Sequence, residues 1–381
     1  MWLRAPTVVE LGSEPAGPEE LLSNLPASPA VYLFATHDSV LHLGSTRSLR
    51  RRVQRLLRPG SLASRLFGLN QLGLALHYWL VGSSLEAMLG IYELARQHFP
   101  EDYRSRFRLR PVFYLQLLQG IRFPRTQVTR RLRGSRSLYF GPFRTRHAAE
   151  NFESELLNFF QIRRCREDFE PSPEHPGCIY GEMNRCLRPC QAQVSEQEYR
   201  AEVQRVAGFL RTRGRGMLRA LVAAREQASQ TLDFEQAAYH HATIVRLERL
   251  LRQLDELATD VEHLHGVAVT PSVHSTAVEL WFMVHGVWVQ RTSLDLSGAN
   301  GAPVPLGQRL REILEQVQQA SAGHAEREEH VGILASWYYA HARDGDWVRF
   351  EDFSSFPYRK VIAAARRVLA DRRPAASPAS A

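Results

Sequence analysis

The sequence predicts an α+β protein of several small domains, and three observations support this fold class. Residues 30–57 read as two short strands followed by an arginine-bearing helix. All four cysteines lie in one stretch, from Cys165 to Cys190. Helical periodicity over residues 195–257 then gives way to β-rich sequence from residue 264 onward. We therefore expect an α/β module at residues 28–102, an arginine-rich bridge at 103–164 and a four-cysteine region at 165–194. A helical hairpin at 195–258 and a short α/β C-terminal region at 259–372 follow. A lead-in at 1–27 precedes these regions, and a disordered tail at 373–381 ends the sequence.

Composition excludes some classes of protein and leaves others open. No apolar run reaches 18 residues, so we expect no membrane-spanning helix, and the N-terminus lacks the apolar core of a signal peptide, which favours the cytoplasm. The net charge is +8, and Lys360 is the only lysine, so nearly all of the basic charge is arginine. Arginine suits bidentate phosphate contacts, although a GC-rich genome produces the same bias. The charge is therefore compatible with a DNA or RNA partner without identifying one.

The N-terminal module begins with a predicted hairpin. Residues 30–34 and 40–44 are strands joined by a turn at 36–39. The following helix carries an apolar stripe of Leu49, Val53 and Leu56, with arginines on its other faces. A third strand at 74–81 and a helix at 84–98 complete the module.

The bridge is the most basic part of the chain. Between Tyr103 and Ala149 there are twelve arginines and no aspartate or glutamate, with aromatic residues interleaved. Arg104, Arg106, Arg108 and Arg110 alternate with other residues, which predicts an extended strand with these arginines on one face. We expect a nucleic-acid phosphate track here, the alternative being a solvated surface over core aromatics. The arginines assigned to it are Arg104, Arg106, Arg108, Arg110, Arg130 and Arg131.

The four cysteines have the spacing C-x12-C, C-x7-C and C-x3-C, at Cys165, Cys178, Cys186 and Cys190. In a reducing compartment, clustered cysteines indicate metal ligands more than disulfides. Four thiolates suit a [4Fe-4S] cluster or a tetrahedral zinc ion, and the lack of a C-x2-C knuckle favours the cluster. The remaining alternative is four free cysteines.

Residues 195–257 predict a long helical hairpin, with helices at 195–211, 216–230 and 233–257. Asp233 is a good N-cap for the last helix. The last helix has an apolar face suited to a partner helix, although a spacer or coiled-coil arm would show the same periodicity. The partner-binding residues assigned to this face are Phe234, Ala237, Ala238 and Ile244. Beyond it, strands are expected at 264–270, 276–284, 286–292 and 347–350, and helices at 306–320, 325–341 and 358–371.

The strand–strand–helix module resembles the GIY-YIG nucleases. Tyr139-Phe140-Gly141-Pro142-Phe143, the cysteine stretch and Asp233-Phe234-Glu235-Gln236-Ala237-Ala238 follow it in the order found in the N-terminal half of the UvrC family, which also has the shorter homologue Cho. The resemblance covers about residues 28–260. It implies a nucleotide excision repair factor that binds DNA and incises 3′ to a lesion. It also implies a UVR hairpin that docks on UvrB, and C-terminal strands that are a truncated RNase H-like remnant.

The resemblance assigns catalysis to Tyr32, His42 and Arg52, with Arg47 and Arg51 contacting DNA. His42 replaces the second tyrosine of the family and remains a suitable general base. A magnesium or manganese ion would be held by a glutamate, but its position is Ile91, which offers a hard cation no oxygen. In the UVR motif, the Arg-Asp pair falls on His241-Ala242. Two hypotheses follow: a metal-dependent endonuclease with a relocated ligand, Glu86 or Glu93, or a DNA- and partner-binding repair protein whose nuclease centre has decayed. Ile91 favours the second.

Overall fold

The fold was examined in a computed structural model that describes residues 2–11, 22–58, 74–107, 109–133, 136–297, 305–319 and 326–371. Three four-stranded sheets lie within this part of the chain, each built from antiparallel pairs. The predicted tail at 373–381, Arg108, and residues 1 and 12–21 of the lead-in lie outside the described residues.

The first sheet forms the N-terminal module and has the order β1–β4–β2–β3. Its strands are β1 (Thr7–Leu11), β2 (Ala30–Ala35), β3 (Val40–Thr46) and β4 (Leu74–Leu80). The predicted hairpin and third strand are thus confirmed. Strand β1 was not expected: it belongs to the predicted lead-in and pairs with β4 as an edge strand.

Two helices cover opposite faces of this sheet. Helix α1 (Leu49–Leu57) packs with Tyr32 and Phe34, whereas α2 (Ser84–His98) contributes Leu94 to the cluster that contains Val31 and Leu33. Successive strand residues point to opposite faces, which explains this division of β2. Ser83 caps α2 by accepting a hydrogen bond from the Glu86 amide at 3.1 Å.

The bridge forms the second sheet, which has the order β6–β5–β7–β8. Its strands are β5 (Phe113–Leu118), β6 (Thr126–Thr129), β7 (Ser137–Phe143) and β8 (Thr259–Asp260). Helix α4 (Arg146–Leu156) packs Phe152 in a stacked arrangement on Phe140, 5.1 Å between ring centroids.

The strand expected from alternating arginines is wrong at its start, because residues Tyr103–Arg106 form a short helix, α3. The aromatic spacing explains the difference. Tyr103 and Phe107 are four residues apart, and their ring centroids lie 6.3 and 5.6 Å from that of Tyr92 on α2. A helical turn brings both rings to one side, which alternating strand positions do not favour.

The cysteine region has little regular structure, only helix α5 (Ile179–Glu182) and a 3₁₀ turn at Pro189–Gln191. The helices after it are α6 (Glu196–Thr212), α7 (Arg215–Gln230) and α8 (Phe234–Arg252). Helix α6 packs into the core of the second sheet, so the projecting hairpin is α7–α8. Gly214, at φ +74°, allows the sharp turn between α6 and α7, where a Cβ atom would lie 2.8 Å from Leu251.

The third sheet has the order β11–β10–β9–β12 and confirms the predicted C-terminal strands. Its strands are β9 (His265–Pro271), β10 (Ala277–Val284), β11 (Val287–Asp295) and β12 (Asp346–Phe350). Helices α9 (Leu306–Gln319) and α11 (Tyr358–Ala370) cover one face, and α10 (Arg327–Tyr338) covers the other.

One hydrophobic core joins the N-terminal and C-terminal parts of the chain. Leu85, Leu89 and Tyr92 of α2 lie in the same buried cluster as Trp281 and Trp337. No helix in the described ranges is long and apolar enough to cross a membrane.

Candidate nucleic-acid interface and nuclease-like centre

The three residues assigned to catalysis lie together between the first sheet and α1. The Tyr32 hydroxyl accepts a hydrogen bond from Arg52 Nε at 2.9 Å and lies 3.2 Å from His42 Nε2. Tyr32 is fully buried. Its cross-strand neighbour is Gly44, where a Cβ atom would lie 2.8 Å from the hydroxyl oxygen. The glycine therefore makes room for the ring, and the hydroxyl is occupied by its own neighbours.

His42 is neutral near pH 7. Burial, together with the positive charges of Arg52 and Arg106, lowers the pKa of the imidazole to about 4. A neutral imidazole can accept a proton, so this part of a general-base arrangement is present. Arg47 and Arg51, the other arginines assigned to this centre, are exposed on its rim.

The two glutamates considered as relocated metal ligands, Glu86 and Glu93, have other partners in the fold. Ile91 packs beside the apolar cluster of Val31 and Leu33. Glu93 accepts a hydrogen bond from the Trp2 amide at 2.6 Å, and Glu86 is buried in a 2.6 Å salt bridge with Arg291. Neither glutamate is placed as the relocated metal ligand that the first hypothesis requires.

Arg291 ties α2 to the third sheet. Its Nε also lies 2.9 Å from Glu279, so a single guanidinium serves two buried carboxylates. Sequence reasoning missed this contact, because Glu86 lies far along the chain from Glu279 and Arg291 and no local motif connects it to them.

Three acidic residues of the C-terminal region also have structural partners. Asp344 accepts hydrogen bonds from Ser84 and Trp337, Asp346 pairs with Arg367, and Glu351 pairs with Arg215.

Four of the bridge arginines surround an open cleft of about 480 Å³. The cleft lies between the bridge and α10 and includes the rings of Tyr103 and Phe107. The arginines that line it are Arg104, Arg110, Arg130 and Arg131. Arg106 instead places its guanidinium 3.9 Å over the Phe99 ring.

Helix α10 supplies the acids that the bridge lacks. Glu329 lies 2.8 Å from Arg104 and also accepts a hydrogen bond from the Tyr103 hydroxyl at 3.1 Å. Glu328 accepts a hydrogen bond from the Leu132 amide at 3.0 Å. Three of the four lining arginines, Arg110, Arg130 and Arg131, form no salt bridge within the described residues. Sequence reasoning missed α10 as the wall of the cleft, although its acidic first turn was a visible signal.

The cysteines are gathered in one region without forming a closed ligand set. Cys186 and Cys190 are buried, Cys165 is half-buried and Cys178 is exposed. Burial, together with the thiols of the other three cysteines, raises the pKa of the Cys186 thiol to about 11. In the described ranges, no three Cys, His, Asp or Glu side chains are arranged to hold a metal ion.

The hairpin exposes its predicted anchor. Phe234 is 67% exposed at the tip of α8, beside Leu232 at 71% and near Tyr239 at 62%. Ala238 is exposed and Ala237 half-buried, whereas Ile244 is buried. The structure thus divides the four predicted contact residues: Ile244 helps to hold the hairpin together, and Phe234 faces solvent.

The architecture defines a multidomain α+β protein with an arginine-lined cleft and a projecting helical hairpin. Comparisons with known proteins place it more narrowly. Residues 112–209 match the model of the UvrC/Cho excinuclease middle domain. This match covers strands β5, β6 and β7 of the second sheet, the cysteine region and most of α6, whereas β8 lies outside it.

Comparisons with whole proteins agree with the domain match. The chain is 28% identical over 286 residues to UvrABC system protein C of Moorella thermoacetica, covering 74% of this chain and 46% of that protein. It is 29% identical over 287 residues to the protein of the same name from Nitratidesulfovibrio vulgaris, covering 74% and 41%. The chain is a UvrC-like protein. It spans about half the length of the curated relatives it matches, and no solved structure matches it.

Proposed function

We propose that this protein is a nucleotide excision repair factor that binds DNA through the arginine-lined cleft and a partner protein through the α7–α8 hairpin. The observation that carries the proposal is the cleft, where four arginines converge and one carboxylate, Glu329, pairs with them among the described residues. Guanidinium groups bind phosphate bidentately, and the neighbouring rings of Tyr103 and Phe107 suit contact with nucleotides.

The nuclease-like centre contributes little or no cleavage under this proposal. Phosphodiester hydrolysis assisted by a metal needs a carboxylate to hold the cation, and Ile91 stands at that position. The Tyr32 hydroxyl is buried and bonded to Arg52, so it is not free to activate water. The residues Arg47, Arg51 and Arg52 then serve as phosphate-binding groups at the edge of the module.

A second candidate function is incision 3′ to a lesion, with magnesium or manganese as the cofactor. The contact between Tyr32 and His42 supports it, because the neutral imidazole of His42 can act as a base and the guanidinium of Arg52 supplies a positive charge. The missing carboxylate argues against it.

The four cysteines are proposed to bind a [4Fe-4S] cluster, with zinc as the alternative. The donor set fits, because four thiols occupy one segment and the other three influence the ionisation of Cys186. Binding must displace the protons of Cys186 and Cys190, whose pKa values burial raises, and must draw the sulfurs closer together. The bound centre would cross-link a region with little regular structure. Iron and acid-labile sulfide after anaerobic purification would support the cluster, about one zinc per chain would support zinc, and neither metal would leave four free cysteines.

The partner proposed for the hairpin is the helical hairpin of a UvrB-like protein. Exposed Phe234 and Leu232 at the tip give an apolar surface of the kind that dominates protein contacts. The altered pair His241-Ala242 changes the polar rim and therefore the preferred partner sequence.

The main proposal is tested by DNA binding as a function of salt. The variant Arg104→Gln/Arg110→Gln/Arg130→Gln/Arg131→Gln should reduce the slope of log K against log salt by up to about 3.6, since each lost phosphate contact removes about 0.9. Arg359→Gln/Arg366→Gln, two exposed arginines on α11, is the control for a general loss of charge. An unchanged slope in the cleft variant would move the DNA site elsewhere.

A further inference from the structure

The cysteine region carries a compact apolar patch on its surface. Ile179 is 63% exposed, Tyr180 39% and Met183 52%, all within or next to α5. Large apolar side chains scattered singly on a surface are ordinary, but three within five residues form a patch. We call these three residues the α5 patch.

Two arginines meet beside the α5 patch on a neutral acceptor. Arg164 Nη2 and Arg185 Nη1 donate to the same oxygen, Asn158 Oδ1, at 3.1 and 3.2 Å. The Arg164 guanidinium also lies 5.1 Å from the centre of the Tyr180 ring. Two like charges converging on one amide oxygen are stabilised by an anion.

A third arginine completes the border. The stem of Arg188 crosses α5 at Gly181, where a Cβ atom would lie 3.0 Å from Arg188 Cγ. Its head donates to Asn184 Oδ1 at 2.8 Å. No salt bridge joins Arg164, Arg185 or Arg188 to a carboxylate in the ranges the structure describes.

Acidic groups near these arginines do not cancel their charge. Glu153 acts on Arg164, but it bonds to Thr126 and also faces Arg125 and Arg166. Glu182 of α5 is exposed. The local balance stays positive, so the charge is complementary to a polyanion.

We propose that the α5 patch is a wedge that enters a DNA duplex at a weakly stacked step, while Arg164 and Arg185 hold the adjoining phosphate. Apolar side chains inserted between base steps unstack them, and tyrosine stacks on an exposed base. Arginine binds phosphate with two parallel hydrogen bonds. The proposal rests on the proposed DNA binding and adds a second, structure-sensitive contact to the cleft.

The wedge and the cleft have different consequences for recognition. Phosphate contacts in the cleft attract any duplex and weaken with salt. Unstacking a base costs less where the duplex is already mismatched or damaged, so the wedge favours distorted DNA. Discrimination between intact and distorted duplex is therefore assigned to the α5 patch.

The test uses the full chain and two duplexes of one length, fully paired or with a short central mismatch. A fluorescent adenine analogue beside the mismatch brightens when it is unstacked. The wild type should prefer the mismatched duplex and raise the emission. Ile179→Ser/Met183→Ser should lose about tenfold of that preference, since base stacking contributes about 1–3 kcal/mol. It should bind the intact duplex as the wild type does.

Matched variants separate a wedge from a folding effect. Ile179→Val/Met183→Leu should retain preference and emission, and Val273→Ser, which changes an exposed apolar residue between β9 and β10, should change neither. Arg164→Gln/Arg185→Gln should lose the preference as well. If the wild type binds neither duplex, the proposed function fails and the wedge with it. If the wild type binds both duplexes equally without a rise in emission, only the wedge is wrong. If Ile179→Ser/Met183→Ser alters self-association and leaves the DNA preference intact, the α5 patch is a protein contact and the wedge is wrong.

Discussion

The nuclease-like centre and the arginine-lined cleft use the same kinds of residue in opposite ways. In the centre, Tyr32 is buried and accepts a hydrogen bond from Arg52, and Glu86 on α2 is paired with Arg291. In the cleft, Arg110 and Arg130 line open space and form no salt bridge within the described residues. A polar group whose bonds are made within the fold has little left to offer a ligand, whereas an open cation has much to gain from one. We therefore expect phosphate binding in the cleft to outweigh phosphate binding by the arginines of the centre.

The largest expected effect concerns cleavage. On a lesion-bearing duplex with magnesium or manganese, the wild type should nick at least about a thousandfold more slowly than a relative that keeps the glutamate, because losing a principal metal ligand costs several kcal/mol. Arg52→Ala should leave this residual rate unchanged. Ile91→Glu, with Ile91→Gln as its control, shows whether position 91 alone accounts for the loss. Robust nicking by the wild type that disappears in Arg52→Ala would reverse the comparison.

The hairpin is the second exposed surface, and Phe234→Ala tests it. Removing an exposed aromatic anchor should weaken capture of a UvrB-like partner by about 30-fold, equivalent to about 2 kcal/mol, in a pull-down or calorimetric titration. Thermal stability should barely change, since Phe234 is 67% exposed. Val273→Ala, which truncates another exposed apolar residue, between β9 and β10, is the control. Equal capture by Phe234→Ala would mean that the hairpin is not the interface.

His42 links the centre to pH. Burial lowers its pKa to about 4, against 6.5 when unfolded. Between these values the unfolded chain binds a proton that the folded chain does not, so stability falls as pH drops from about 6.5 to 4. Each such histidine contributes no more than about 1.4 kcal/mol per pH unit. Chemical denaturation across this range should show a shallower pH dependence in His42→Phe than in the wild type, and parallel curves would mean that His42 is not held neutral.

Local patterns predicted local structure well. The helix at Ser84–His98 and the hairpin at residues 30–46 follow from periodicity and turn residues, and their tertiary neighbours agree with that pattern. Alternating arginines misled at Tyr103–Arg106, because two rings four residues apart pack on Tyr92 and favour a helix. Tertiary packing there outweighs the local pattern.

The partners of the candidate site were beyond reach of the sequence. Glu329 lies 225 positions from Arg104, and Arg291 is similarly distant along the chain from Glu86. No local signal connects such pairs. The absence of acids in residues 103–149 was read correctly along the chain, but the fold returns acids to that surface from α10. Only the three-dimensional arrangement shows which arginines stay unpaired.

The smallest expected effect sharpens the comparison within the cleft itself. Glu329 is the carboxylate that occupies Arg104, at 2.8 Å, so it competes with phosphate for that guanidinium. Arg104 is largely exposed, and solvent weakens such a pair to about 1 kcal/mol or less. Glu329→Gln should therefore tighten DNA binding by about three- to fivefold at low salt, with less gain at high salt, because the added contact is electrostatic. Glu315→Gln on α9, the same change outside the cleft, should give no more than the small general gain of one lost negative charge. If both variants bind alike, Arg104 is not a phosphate contact, and the DNA track runs through Arg110, Arg130 and Arg131 alone.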